Sequence, residues 1–135
     1  MNRIAVVYWS GTGHTQTMAE AVAKASGADL FPAGEFTREL TEQYEKIAFG
    51  CPSMGGEELE EGEFAPMFEA VKPSLSGKKI ALFGSYGWGD GEWMRTWEED
   101  CAAHGAQLAT ESVICLEEPD VDALRACEAL GKSLL

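Results

Sequence analysis

Basic residues are scarce in this chain of 135 residues: Lys and Arg number 10 against 23 Asp and Glu, for a formal net charge of −13. A surface so short of positive charge is repelled by nucleic-acid phosphates and anionic membranes, and it favours partners with basic faces. Histidine is scarcer still, with only His14 and His104, and neither stands at metal-ligand spacing from the four cysteines, Cys51, Cys101, Cys115 and Cys127. No Cys-x-x-Cys pair occurs, so the thiols read as reduced packing residues rather than a zinc site or a redox pair. Long apolar runs are missing, which argues against a membrane-spanning helix, while a 45% hydrophobic content is too high for a disordered acidic chain. The run after Met1 is too short for a signal-peptide apolar region and lacks a cleavage site, so a cytoplasmic location is expected. The length fits one domain, 1–135, without linker, repeat or low-complexity segment.

What is present alternates between strand and helix patterns. Residues 3–9 form a β-branched and aromatic run, followed by the glycine-rich Ser10-Gly11-Thr12-Gly13-His14-Thr15 and a helical stretch from about Gln16 to Ala25. Ala28 to Phe31 reads as a second strand, Thr37 to Tyr44 as a polar helix, and Lys46 to Cys51 as a third, buried strand. Phe64 to Leu75 reads as a helix that Pro73 ends or bends near Lys72. Lys79 to Gly84 gives a fourth strand, Glu92 to His104 a helix stopped by Gly105, Val113 to Leu116 the fifth strand, and Asp120 to Leu134 the last helix. Five such rounds predict an α/β fold with a parallel sheet covered on both faces.

In such a sheet, ligands bind beyond the C-terminal ends of the strands, where loops enter helix N-termini. The loop Ser10 to Thr15 stands there, with Gly11 and Gly13 permitting close backbone approach and Ser10, Thr12 and Thr15 adding hydroxyls. It fits neither the dinucleotide glycine pattern, which needs Gly where Gln16 stands, nor the P-loop, which needs a Lys. Taken alone it reads equally as a cradle for one terminal phosphate and as a polar turn capping a helix. His14 reads as a polar loop residue rather than a catalyst.

Two further loops follow the third and fourth strands: Cys51-Pro52-Ser53-Met54-Gly55-Gly56-Glu57 and Gly84-Ser85-Tyr86-Gly87-Trp88-Gly89-Asp90-Gly91. Met54 and Trp88 can each be core side chains of their own loops. Beside a phosphate site, a polarizable thioether and an indole between two glycines also suit a flat aromatic ligand.

Together YWSGTGHT, GCPSMGGEELEE and ALFGSYGWGDGEWM closely resemble the short-chain, clostridial-type flavodoxins, in matching order over nearly the whole chain. The resemblance implies a flavodoxin-like doubly wound five-stranded sheet of order 2-1-3-4-5 with helices on both faces. It implies non-covalent flavin mononucleotide (FMN) as cofactor, and a low-potential one-electron carrier that shuttles between semiquinone and hydroquinone to link redox enzymes. Ser10, Gly11, Thr12, Gly13, His14 and Thr15 would surround the phosphate. Met54 and Trp88 would enclose the isoalloxazine ring, with Ser53 beside Met54 in the contact set, and Glu57 would accept from the ring N3–H. Gly55, Gly87 and Gly89 would lie at the polar edge, and Ser85 and Tyr86 would form the adjoining wall. The turn Met54-Gly55-Gly56-Glu57 would flip its central peptide on reduction, with Gly56 at the position needing positive φ. The chain departs from the family pattern at His14, which stands in place of Asn, at Gly56, which stands in place of a polar residue, and in a shortened connection before the second strand.

No catalytic or metal-binding residue is implied, and the expected partners are reductases and acceptors met transiently by a monomer. Each carboxylate at ~12 Å opposes a reduced, anionic flavin by roughly 0.3 kcal/mol, about 15 mV per electron. The run from Glu57 to Glu63 reads both as solvated surface and as a docking face. A flavin-dependent quinone or nitro reductase is the nearest alternative, and nothing in the sequence marks a nicotinamide site. A phosphate-binding signalling domain of the same fold is further away, because Ser10 and Cys51 stand where a phospho-receiver needs acids.

Overall fold

The computed structural model describes residues 3–55, 58–87 and 89–135; Met1, Asn2, Gly56, Glu57 and Trp88 lie outside the described residues. Among the described residues six strands and five α-helices follow one another: β1 (Ile4–Tyr8), α1 (His14–Ser26), β2 (Asp29–Pro32), α2 (Arg38–Thr41), β3 (Lys46–Gly50), α3 (Phe64–Val71), β4 (Lys79–Tyr86), α4 (Glu92–Ala103), β5 (Gln107–Leu108), β6 (Val113–Leu116) and α5 (Val121–Lys132). The sheet is parallel with order β2-β1-β3-β4-β5, and β6 also pairs with β4. The expected order holds, with one refinement. The fifth position is shared, β5 pairing with the start of β4 and β6 with its end.

Period-two alternation sorts the central strands between two cores. Ala5, Val7, Ile47, Phe49, Ile80 and Leu82 face an aromatic layer with Phe64, Phe68, Trp93 and Trp97 from α3 and α4. Ile4, Val6, Ala48, Ala81 and Phe83 face a thinner layer with Met18, Ala19, Val22, Cys127 and Leu130 from α1 and α5. The thin layer brings α1 and α5 close together: a Cβ on Gly131 would stand 2.6 Å from the Val22 carbonyl oxygen.

Two expected helices are shorter than their patterns. Thr37 caps α2 by accepting from the Leu40 N–H, but the helix ends after one turn because Tyr44 is drawn into the core, its hydroxyl donating to Asp29 at 2.6 Å. Pro73 ends α3, and residues Lys72–Ser74 continue as a 3₁₀ turn. Lys72 is buried there between Glu69 at 2.6 Å and Asp100 at 2.9 Å, tying α3 to α4.

Candidate functional site

Hydrogen bonds that continue the sheet past its strands set the loops in register. The Trp9 N–H donates to Gly50 O (3.0 Å), that of Cys51 to Phe83 O (3.2 Å), that of Ser53 to Ser85 O (3.0 Å) and that of Glu117 to Tyr86 O (2.7 Å). Four chain segments thereby meet at the C-terminal edge of the sheet around a cleft of about 300 Å³. That size lies at the lower end of the range of small-molecule sites. Of the sequence-derived candidates, Gly11, Thr12, His14, Ser53, Met54, Ser85, Tyr86 and Gly87 line it.

The remaining candidates are placed as follows. Ser10 accepts from the Gly13 N–H at 3.0 Å, and Gly13 adopts φ +97° as the residue preceding α1. Thr15 is buried, its hydroxyl 3.0 Å from that of Ser85. Gly55 lies with Glu58, Leu59, Glu60 and Glu61 around an adjoining hollow that Met54 also borders. Gly89 has φ +85° in the loop before α4. Gly56, Glu57 and Trp88 fall outside the described residues.

Three residues of the cleft wall were not among the sequence-derived candidates: Trp9, Pro52 and Glu117. Trp9 lies beneath the first loop, where a Cβ on Gly11 would meet its ring at 3.0 Å, so Gly11 lets the loop rest on the indole. Its place at the end of the first strand run was the available signal. Glu117 holds φ +56°, the one positive φ outside glycine among the described residues. Nothing local in the sequence marks such a conformation.

The loop after β3 is held from below. The Trp93 Nε1–H donates to Cys51 O at 3.3 Å, and the Met54 and Glu58 backbones exchange hydrogen bonds of 2.8 and 2.9 Å. Gly55 spans that narrow turn with φ +42°, a left-handed value that glycine reaches freely. Behind the turn, the Glu60 carboxylate accepts from the Gly62, Glu63 and Phe64 N–H groups at 2.6 to 2.8 Å. Burial pushes the Glu60 carboxyl up, but the three amide donors outweigh it and hold the group below its ordinary value. Burial pushes the Cys51 thiol up to about 12, so it is a packing group.

The donor set fits a phosphate-bearing flat ligand. Helix α1 starts on Gly13, which has no side chain to cap it, and carries no acid in its first turn; the His14 N–H makes a long 3.4 Å bond to Thr12 Oγ1, and the helix start suits an anion. Ser53 Oγ is buried without a hydrogen-bond partner among the described residues, a polar atom that a ligand can satisfy. Met54 stands exposed at the rim.

A doubly wound sheet with a cleft at the C-terminal ends of its strands, opening onto a helix N-terminus, has its site where proteins of this class hold nucleotide-type cofactors. The family model described as flavodoxin matches residues 6–131. The flavodoxin of Clostridium beijerinckii is 43% identical over 134 residues, and that of Megasphaera elsdenii 42% identical over 135, each match covering 96% of both chains. The solution structure of the two-electron reduced Megasphaera elsdenii flavodoxin superposes with a TM-score of 0.88 at 37% identity, covering 97% of each chain. The chain belongs to the flavodoxin family, the FMN-binding proteins that carry electrons without turning over a substrate of their own.

Proposed function

We propose that this flavodoxin is a low-potential, one-electron carrier that grips FMN by its phosphate at the start of α1 and by its ring between the loops after β3 and β4. Bound FMN supplies reversible one-electron chemistry, and the chain's residues bind it, orient it and set the charge around it. Ser10, Gly11, Thr12, Gly13, His14 and Thr15 hold the phosphate, using backbone N–H groups and hydroxyls in place of a Lys or Arg. Ser53, Met54, Gly55, Ser85, Tyr86 and Gly87 enclose the ring, together with Gly56, Glu57, Trp88 and Gly89. The observation that carries this reading is the uncapped N-terminus of α1 opening onto a cleft that the other two loops complete.

The charge of the chain supports the low potential and the choice of partner. Glu117 lines the cleft, and Glu58, Glu60 and Glu61 line the hollow beside it, so added negative charge on the ring is opposed from two sides. The same carboxylates favour basic docking faces on reductases and acceptors, raising encounter rates without tight binding. A monomer in the cytoplasm accords with a net charge of −13, which opposes self-association. No helix among the described residues is long and apolar enough to cross a membrane.

Titration of the apoprotein with FMN and with riboflavin tests the assignment. One FMN per chain is expected, with riboflavin bound more weakly for lack of the phosphate. Equal affinities would remove the phosphate from the first loop.

A further inference from the structure

Two buried side-chain polar atoms among the described residues have no hydrogen-bond partner: Trp97 Nε1 and Ser53 Oγ. They differ in their surroundings. Trp97 lies within the aromatic core, perpendicular to the Phe64 ring at 5.4 Å and nearly perpendicular to the Phe68 ring at 5.8 Å. Trp97 is not among the residues that line the cleft, so a ligand held there does not reach its N–H. Ser53, by contrast, lines the cleft. Its backbone N–H is used on Ser85 O, and the Ser85 hydroxyl is paired with Thr15, so the neighbouring polar groups are committed elsewhere.

A buried hydroxyl without a partner destabilises a fold, and proteins rarely retain one that an alanine could replace. Ser53 lines the cleft, one residue from Met54 and bonded through its backbone to the segment that leads into Tyr86 and Gly87. It belongs to the wall formed by the third- and fourth-strand loops, whereas the phosphate donors proposed above come from residues 10–15.

We infer that Ser53 is a positioning residue for the riboflavin part of the cofactor, ring or ribityl chain. Its hydroxyl turns into the cleft to bond a polar atom there, and the unsatisfied hydroxyl destabilises the apoprotein until the cofactor binds. This rests on the FMN site proposed above. The hydroxyl thus shifts binding energy toward the moiety that FMN and riboflavin share.

The inference has two arms of opposite sign. Ser53→Ala deletes an unpartnered polar atom from the apoprotein, so its melting temperature should rise, by about 2 to 5 °C. The same variant should bind FMN and riboflavin more weakly by the same factor, roughly three- to thirty-fold, as followed by quenching of flavin fluorescence. A merely structural serine would move stability and affinity in the same direction or leave affinity untouched. A fall in FMN affinity alone would make the contact phosphate-directed and overturn the inference. Unchanged affinity for both flavins would mean that the hydroxyl is satisfied within the chain, and would overturn it too. Failure of the parent apoprotein to bind either flavin would instead sink the cofactor site on which the inference rests.

Discussion

The hydroxyls of Thr15 and Ser85 lie 3.0 Å apart in a buried hydrogen bond that joins the first turn of α1 to the end of β4. Since Ser85 also accepts from the Ser53 N–H through its carbonyl, one residue ties together all three loops of the cleft. Thr15→Val and Ser85→Ala should each cost about 1 to 3 kcal/mol of apoprotein stability, because each strands a buried hydroxyl. The double variant should cost less than the sum, since both partners are then gone. Urea unfolding of the four proteins checks this, and strict additivity would mean the two hydroxyls are not coupled.

Thr12 stands in the cleft wall with its hydroxyl accepting a long bond, 3.4 Å, from the His14 N–H. If the loop holds a phosphate, Thr12→Ala should weaken FMN by roughly 1 to 3 kcal/mol and riboflavin far less. Isothermal titration with both flavins gives the comparison, and equal losses for the two would place Thr12 against the part they share.

The strands of the centre were legible because β1, β3 and β4 are apolar on both faces, as a doubly covered sheet requires. The first loop was legible for a similar reason: its glycines mark a backbone that must turn sharply into α1. The fifth strand was only half legible. Its segment Gln107–Leu108 is two exposed residues, too short for any period to register, and it is held because backbone bonds such as Ala109 N–H to Ile80 O extend the β4 edge. The second helix was overextended because its polar pattern continues to Tyr44, while the Asp29 carboxylate and the Arg3 guanidinium, 4.6 Å over the ring, claim that tyrosine for tertiary contacts. Glu117 in the cleft wall was hidden because glutamate does not mark a left-handed backbone in a sequence, and its bond to Tyr86 O, which sets it beside β4, is a tertiary contact.

The four cysteines should be silent in the folded protein. Burial pushes Cys51, Cys101 and Cys127 up to about 12, and burial followed by the charge of Asp120 raises Cys115 as well. Since only the thiolate attacks a disulfide reagent, 5,5′-dithiobis(2-nitrobenzoate) at about pH 8 should react slowly with the native protein and release four equivalents after unfolding. Four fast equivalents in the native state would contradict the packing role.

Glu60 makes the stability of the segment between β3 and α3 depend on pH. Its carboxylate is buried, yet three backbone N–H groups at the start of α3 hold it charged, so its folded value lies below that of an unfolded glutamate, about 4.3. When pH falls past that unfolded value, the unfolded chain takes up the proton first, and acid therefore favours unfolding. The contribution of Glu60 is present in full above the unfolded value and is lost as pH falls through the folded one. Glu60→Gln keeps the shape and one acceptor oxygen but removes the charge, and at neutral pH it should cost about 0.5 to 2 kcal/mol, the range measured for helix caps. On acidification to a pH below the unfolded value the gap between parent and variant should narrow, and it closes once the pH has fallen past the folded value, where the parent's carboxyl is also neutral. Urea midpoints at both pH values decide the matter: a gap that stays constant would show that Glu60 acts through its shape alone and not through its charge.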